Sequence, residues 1–184
     1  MMVTNKTPEF LAKFPMGKVP AFEGADGFCV TEGAAICTYI ARSGPKAQQL
    51  IGSDAKTEAL ISQWSYFSEF ELSSNLLPPA VMVYLKMIPY DEKLYNKHVD
   101  ATVRALKRVE VALEGGKKYL VGDQITLADI MVAGPLYFGT EFLIDAEMRK
   151  EIPNTVAWLK GLAALPEFKC FGELPLCETR TAAP

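Results

Sequence analysis

With one histidine, His98, and four cysteines in 184 residues, the chain has little material for the commonest catalytic chemistries. A Cys/His or Ser/His/Asp arrangement has a single possible base. Cys29, Cys37, Cys170 and Cys177 are too scattered for metal-finger spacing and too few for a disulfide framework. Free thiols follow, and Cys29 in a strand pattern and Cys37 on an apolar helix read as small buried hydrophobes. His98, beside Lys97 and near Asp100, is expected to be solvated. Excess positive charge is lacking too: 19 Lys and Arg against 22 Asp and Glu give a net charge of −3. That excludes a basic footprint for nucleic acid or an anionic membrane surface. No apolar run approaches the roughly 18 to 20 residues that cross a bilayer, and Met1–Lys13 has no signal-peptide hydrophobic region. A cytosolic globular protein is expected, its 49% hydrophobic content ample for the core of one domain or two small ones.

What is present is a change of pattern along the chain. Thr7 with Pro8 opens a short helix through Phe14, ended by Pro15 and Gly17. Ala21–Glu23 and Phe28–Thr31 flank Gly24, Ala25, Asp26 and Gly27, the chemistry of a β-hairpin turn. Thr31 then caps a helix whose Ile36, Tyr39 and Ile40 recur at helical spacing as an inward face, until Gly44 and Pro45 stop it. The Gly, Pro and Ser content of Ser43–Asp54 marks a domain boundary, giving units 1–44 and 54–178. Beyond it the pattern is helical. Ala55 to about Leu76 is rich in Leu, Ile, Trp and Phe, and Pro78 and Pro79 are expected to break or kink it before Val81–Met87. Val99, Thr102, Val103, Leu106, Val109 and Leu113 form one stripe of a helix over 92–113, ended by Gly115 and Gly116. Thr126 and Asp129 form a capping box, with Ile125 and Ile130 as a hydrophobic staple, opening a helix to about Phe142. A last helix spans about 154–165, and Thr179–Pro184 is expected to fray.

The order short helix, hairpin, helix and then an all-helical region resembles the glutathione-transferase-like superfamily. The motifs are Gly17–Glu23 with Val19-Pro20, Gly27–Glu32, Tyr119–Asp123 leading into Thr126–Asp129, and Pro153–Trp158. Within it, Thr7–Phe14, Leu176, Cys177 and Glu178 also resemble the amino-terminal domain of translation elongation factor 1 gamma. The implied fold is α+β to mainly α: a partial thioredoxin-like α-β-β-α unit, its first β-α-β missing, followed by an all-helical glutathione-transferase C-terminal domain. On that expectation the hairpin keeps an unpaired edge, which invites association, and, if the native form is longer, Met1-Met2 would be an internal start or a gene-model artefact.

The resemblance also implies a glutathione site. Val19, held extended before a cis Pro20, would offer its backbone to the ligand's cysteinyl unit, and Glu32 at a helix start would meet the ligand amine. Gly33 stands where transferases carry a hydroxyl for the ligand carboxylate, leaving the helix terminus for that charge. Lys18 would add a carboxylate contact. The plain alternative is that Pro20 fixes a tight strand entry and Glu32 offsets the helix dipole, worth about 0.3 to 1 kcal/mol. Thr126 and Asp129 read as a folding device worth about 1 kcal/mol per satisfied cap. Trp64, Tyr66, Phe67 and Phe70 read as core ahead of a substrate pocket. No catalytic residue, metal or required cofactor is assigned. The resemblance implies a non-catalytic scaffold of the elongation factor 1 complex that anchors the guanine-nucleotide exchange subunit, with a homodimer as a superfamily expectation. The alternative is a transferase conjugating glutathione to electrophilic small molecules.

Overall fold

The computed structural model describes residues 4–183; Met1 and Met2, where a longer native form would place an internal start or a gene-model artefact, lie outside them. In the first unit, α1 (Pro8–Lys13) is capped by the Thr7 hydroxyl, which accepts from the Phe10 N–H at 3.3 Å. It leads through a turn at Pro15–Met16 and a bend at Val19 to β1 (Ala21–Glu23) and β2 (Cys29–Thr31), the two strands of the described sheet. They pair antiparallel with Ala21 opposite Thr31 and Glu23 opposite Cys29. Asp26 organises the turn by accepting from the Phe28 N–H.

The helix α2 (Gly33–Ser43) follows directly, but its cap is not Thr31. Glu32 holds the cap position without a side-chain capping bond. Instead the Ala34 N–H donates 2.7 Å to Glu69 Oε1, from the helical region. The buried face also differs from expectation: Ala34, Ile36 and Ala41 turn inward, whereas Tyr39 and Ile40 are exposed. Tyr39 instead packs beside Phe22 and Phe28 of the hairpin.

After α3 (Ala47–Ile51), α4 (Ala55–Phe67) starts at Asp54, whose carboxylate accepts from the N–H groups of Lys56 and Thr57. The chain then stays helical past the expected break. A wider π turn over Ser68–Ser73 joins α5 (Ser74–Pro79), which contains both Pro78 and Pro79, and a second π turn spans Ala80–Tyr84. A π turn shifts the hydrogen-bond register by one residue, which is how a helix absorbs prolines that lack an N–H. The long α6 (Glu92–Ala112), α7 (Leu127–Phe142), α8 (Ala146–Lys150) and α9 (Pro153–Ala163) complete the body.

The main core lies where α7 meets α4, α6 and α9, around Leu72, Val109, Val132, Leu136 and Leu162. Asp129 anchors it. Its Oδ2 accepts from the Thr126 N–H at 2.9 Å and the Thr126 hydroxyl at 3.2 Å, while Oδ1 accepts from the Leu120 N–H and the Trp158 indole. One fully buried carboxylate thus ties α7, α9 and the preceding loop. Glu110 does similar work at the start of α9, accepting from the N–H groups of Asn154 and Thr155. The tail departs from the expected fraying: Arg180 pairs with Asp145 at 2.8 Å and the Thr181 N–H donates to the Phe142 carbonyl.

Candidate functional site

The strand register assembles the site. With Ala21 opposite Thr31, the next residues outward, Pro20 with Val19 on one side and Glu32 on the other, stand next to one another. Gly17 sets up the approach. It sits at φ +56°, and an added Cβ would lie 2.9 Å from Leu11 and 3.0 Å from the Asn5 carbonyl, so only glycine fits. Its carbonyl accepts from Asn5 Nδ2 and Lys6 Nζ, and its N–H donates to Phe14. So anchored, the run Lys18–Pro20 crosses the surface, with the Val19–Pro20 peptide cis.

Val19 is 64% exposed, and neither its N–H nor its carbonyl has a hydrogen-bond partner among the described residues. Val19 lies at a bend, and a residue there with both backbone groups free can donate to and accept from a peptide-like ligand. A cleft of about 150 Å³ lies beside it, lined by Lys18, Val19, Pro20, Thr31 and Glu32 above Phe14 and Met16. All five lining residues from Lys18 to Glu32 are exposed. Glu32 stands at φ +70°, a conformation that costs a non-glycine residue about 1 to 3 kcal/mol. Nothing in its hydrogen bonding calls for a glutamate, since only its backbone carbonyl is engaged, by the Ile36 N–H. A strained residue with an unengaged side chain at a cleft wall is the pattern of a binding position.

Gly33 has a concrete reason to be glycine. A Cβ there would lie 2.9 Å from Glu69 Oε1, the carboxylate that accepts from the Ala34 N–H. Part of the anion-binding capacity at the start of α2 is therefore already used by the chain itself. Sequence reading passed over Glu69, one of two acids with Glu71 in an aromatic stretch, where nothing local marks it as a partner for the start of α2. Glu32 and Glu69 also line a larger cleft of about 630 Å³ between α2 and α4, together with Arg42 and Glu58. Its charge balance favours a cationic group over an anionic one.

The aromatic run divides between two uses. Trp64 is buried under the Arg108 guanidinium at 4.6 Å and Phe67 is half-buried, whereas Tyr66 and Phe70, 58% and 69% exposed, line the larger cleft. Cys37 is half-buried with burial pushing its thiol up, away from thiolate reactivity. His98 is not simply solvated: its Nδ1 lies 2.9 Å from Asn75 Oδ1, and burial lowers its pKa. Among the described residues no His, Cys, Asp or Glu cluster can hold a metal, and no helix is long and apolar enough to cross a membrane.

Comparison with known proteins places this geometry. Residues 2–42 match the family model of the glutathione S-transferase N-terminal domain and residues 72–166 that of the C-terminal domain. The chain is 46% identical over 163 residues to the glutathione S-transferase-like protein LUC7 of a Fusarium species, covering 85% of this chain and 71% of that protein. It is 37% identical over 179 residues to elongation factor 1-gamma of Sus scrofa, covering 95% of this chain and 39% of that protein. Among solved structures, the transferase-like domain of Saccharomyces cerevisiae elongation factor 1-gamma superposes with a TM-score of 0.82 at 27% identity, covering 96% of this chain and 82% of that one.

Proposed function

The chain belongs to the glutathione S-transferase-like superfamily, close to elongation factor 1-gamma, and from that premise we propose that it binds glutathione in the cleft between Lys18–Pro20 and the start of α2. One observation carries the reading: the strand register sets Val19, with both backbone groups free, beside Glu32, whose side chain is unengaged at φ +70°. Val19 pairs its N–H and carbonyl with the ligand's cysteinyl unit, Pro20 fixes that run, and Glu32 meets the ligand amine. Lys18 neutralises a ligand carboxylate, and Gly33 leaves room for Glu69 beside the amine. Residues 1–44 form the unit that presents the ligand, and 54–178 the helical unit that supports it. Tyr66 and Phe70 offer an apolar wall to an electrophilic co-substrate; in a conjugation there the glutathione thiol proton passes to solvent water, the sulfur forms the carbon–sulfur bond, and the electrophile's leaving group is released to solvent with its bonding pair. The higher identity to stand-alone transferase-like proteins supports this reading.

Titration calorimetry with reduced glutathione tests it: saturable binding is expected, weakened about tenfold or more, or about 1.4 kcal/mol, in Glu32→Ala. Absence of heat at millimolar glutathione would refute it.

A second reading, a cytosolic scaffold that anchors the nucleotide-exchange subunit of the elongation factor 1 complex, is favoured by likeness to elongation factor 1-gamma along 95% of the chain. That match spans only 39% of the factor, so its assembly comes to this chain only as a proposal. Stoichiometric capture of an exchange subunit, with no conjugate formed from 1-chloro-2,4-dinitrobenzene, would make this second reading the correct one.

A further inference from the structure

The start of α2 holds a carboxylate of the chain's own at the place where a γ-glutamyl ligand would bring one. Glu69 Oε1 accepts from the Ala34 N–H at 2.7 Å, and a Cβ built on Gly33 would lie 2.9 Å from that same oxygen. From the same point Pro20 Cγ is 3.9 Å away, so the Glu69 carboxylate stands close to the wall of the smaller cleft. Residue 33 therefore brings no side-chain donor, and the N–H of Ala34 is already engaged. A helix amino terminus attracts an anion, and here the chain supplies it. Glu69 is half-buried, and no lysine or arginine pairs with it among the described residues.

Glutathione brings one ammonium and two carboxylates to this place. Lys18 is the only cation lining the smaller cleft, and Glu32 its only acid. With one carboxylate on Lys18 and the ammonium on Glu32, the carboxylate beside that ammonium has Glu69 for a neighbour. Like charges at short range repel, the more so where water is partly excluded. Arg42, the single cation lining the larger cleft, lies in the last turn of α2, roughly 13 Å along the axis from Gly33. Glu58 adds a further negative charge on that side.

We propose that Glu69 makes this cleft select thiol peptides whose terminal ammonium has no carboxylate beside it, an aminoacyl cap of the 4-aminobutyryl kind in place of γ-glutamyl. The ammonium meets Glu32 and Glu69, the cysteinyl unit pairs with Val19, and the one remaining carboxylate meets Lys18. Glu69 acts by rejection as much as by attraction: it strengthens the hold on the cation and penalises the neighbouring anion. The inference rests on the reading that the cleft takes a glutathione-like peptide, and narrows the class of peptide.

Titration calorimetry on the full chain compares three ligands: reduced glutathione, 4-aminobutyryl-cysteinylglycine, which keeps the ammonium and drops the carboxylate, and glutaryl-cysteinylglycine, which does the reverse. The 4-aminobutyryl peptide is expected to bind about tenfold tighter than glutathione, and the glutaryl peptide to bind weakest. Glu69→Gln keeps an acceptor for the Ala34 N–H and removes the charge, so it should bring glutathione to within about twofold of the 4-aminobutyryl peptide. Glutathione binding as tightly as the 4-aminobutyryl peptide, or more tightly, in the unsubstituted chain overturns this inference and leaves the glutathione reading standing. Binding of the 4-aminobutyryl peptide with no heat from glutathione does the opposite, and no heat from any of the three overturns both. A folded Glu69→Gln chain that keeps the full preference also overturns the inference; if that variant does not fold, the ranking in the unsubstituted chain decides.

Discussion

The small hairpin unit and the helical body are built on opposite economies. Of the buried side chains in the main core, only Ala41 comes from the segment before Gly44, and the second cluster, around Leu76 and Phe142, takes none from it. The helical body is held by dense apolar packing and by buried carboxylates that satisfy helix starts. The hairpin unit has two three-residue strands, an exposed cleft and a helix whose first turn is held by an acid from the other unit. Stability and the candidate cleft are therefore carried by different residues, and the hairpin side that forms the cleft leans on the helical side that does not.

Four substitutions sharpen or break this comparison. Asp129→Ala should be the most damaging, about 3 to 5 kcal/mol in urea unfolding, because it strands the Leu120 and Thr126 N–H groups and the Trp158 indole in the core. A loss under 1 kcal/mol would reduce it to an ordinary cap. Glu69→Ala should cost about 1 to 2 kcal/mol through a lost charge-assisted bond to Ala34. Its mark is faster amide exchange in α2 and the hairpin while α7 stays protected; uniform loss across both units would show that the two do not open separately. Glu32→Gly should relieve the positive φ and raise stability by about 1 kcal/mol, while abolishing glutathione binding; stability and binding falling together would remove the trade-off.

The smallest effect concerns pH. Burial pushes the Glu110 carboxyl up, but the N–H groups and side chains of Thr155 and Asn154 outweigh it, so its pKa falls below the ordinary 4.5. A depressed native value means its contribution is full above 4.5 and is lost as pH falls through the lower native value. Glu110→Gln should flatten that part of the acid-unfolding limb and leave the pH dependence near neutrality unchanged; an unchanged limb would exclude Glu110 as a source.

The sequence made the architecture readable because its punctuation was strong: Thr7 with Pro8, the Gly24–Gly27 turn, and Thr126 with Asp129 each have one low-energy use. It misjudged α2, where Ile36, Tyr39 and Ile40 share helical spacing but the hairpin covers Tyr39 only partly and leaves Ile40 in water. Pro78 and Pro79 do not break the helix, because the π turns on either side are a tertiary accommodation with no local sequence signal. Arg180 and Thr181 are held by partners far away in the chain, which composition does not reveal. Of the site, Val19, Pro20 and Glu32 were legible as a motif. Glu69 was not, since its partner lies 35 residues earlier.

Trp158 has a use beyond packing. The chain contains two tryptophans, and Trp64 lies beneath the Arg108 guanidinium. A Trp64→Phe chain would emit from Trp158 alone, an indole whose N–H rests on a carboxylate that burial pushes above its ordinary pKa of 3.8. The emission of that chain reports directly on the surroundings of the Asp129 carboxylate, at the point where α7, α9 and the preceding loop meet.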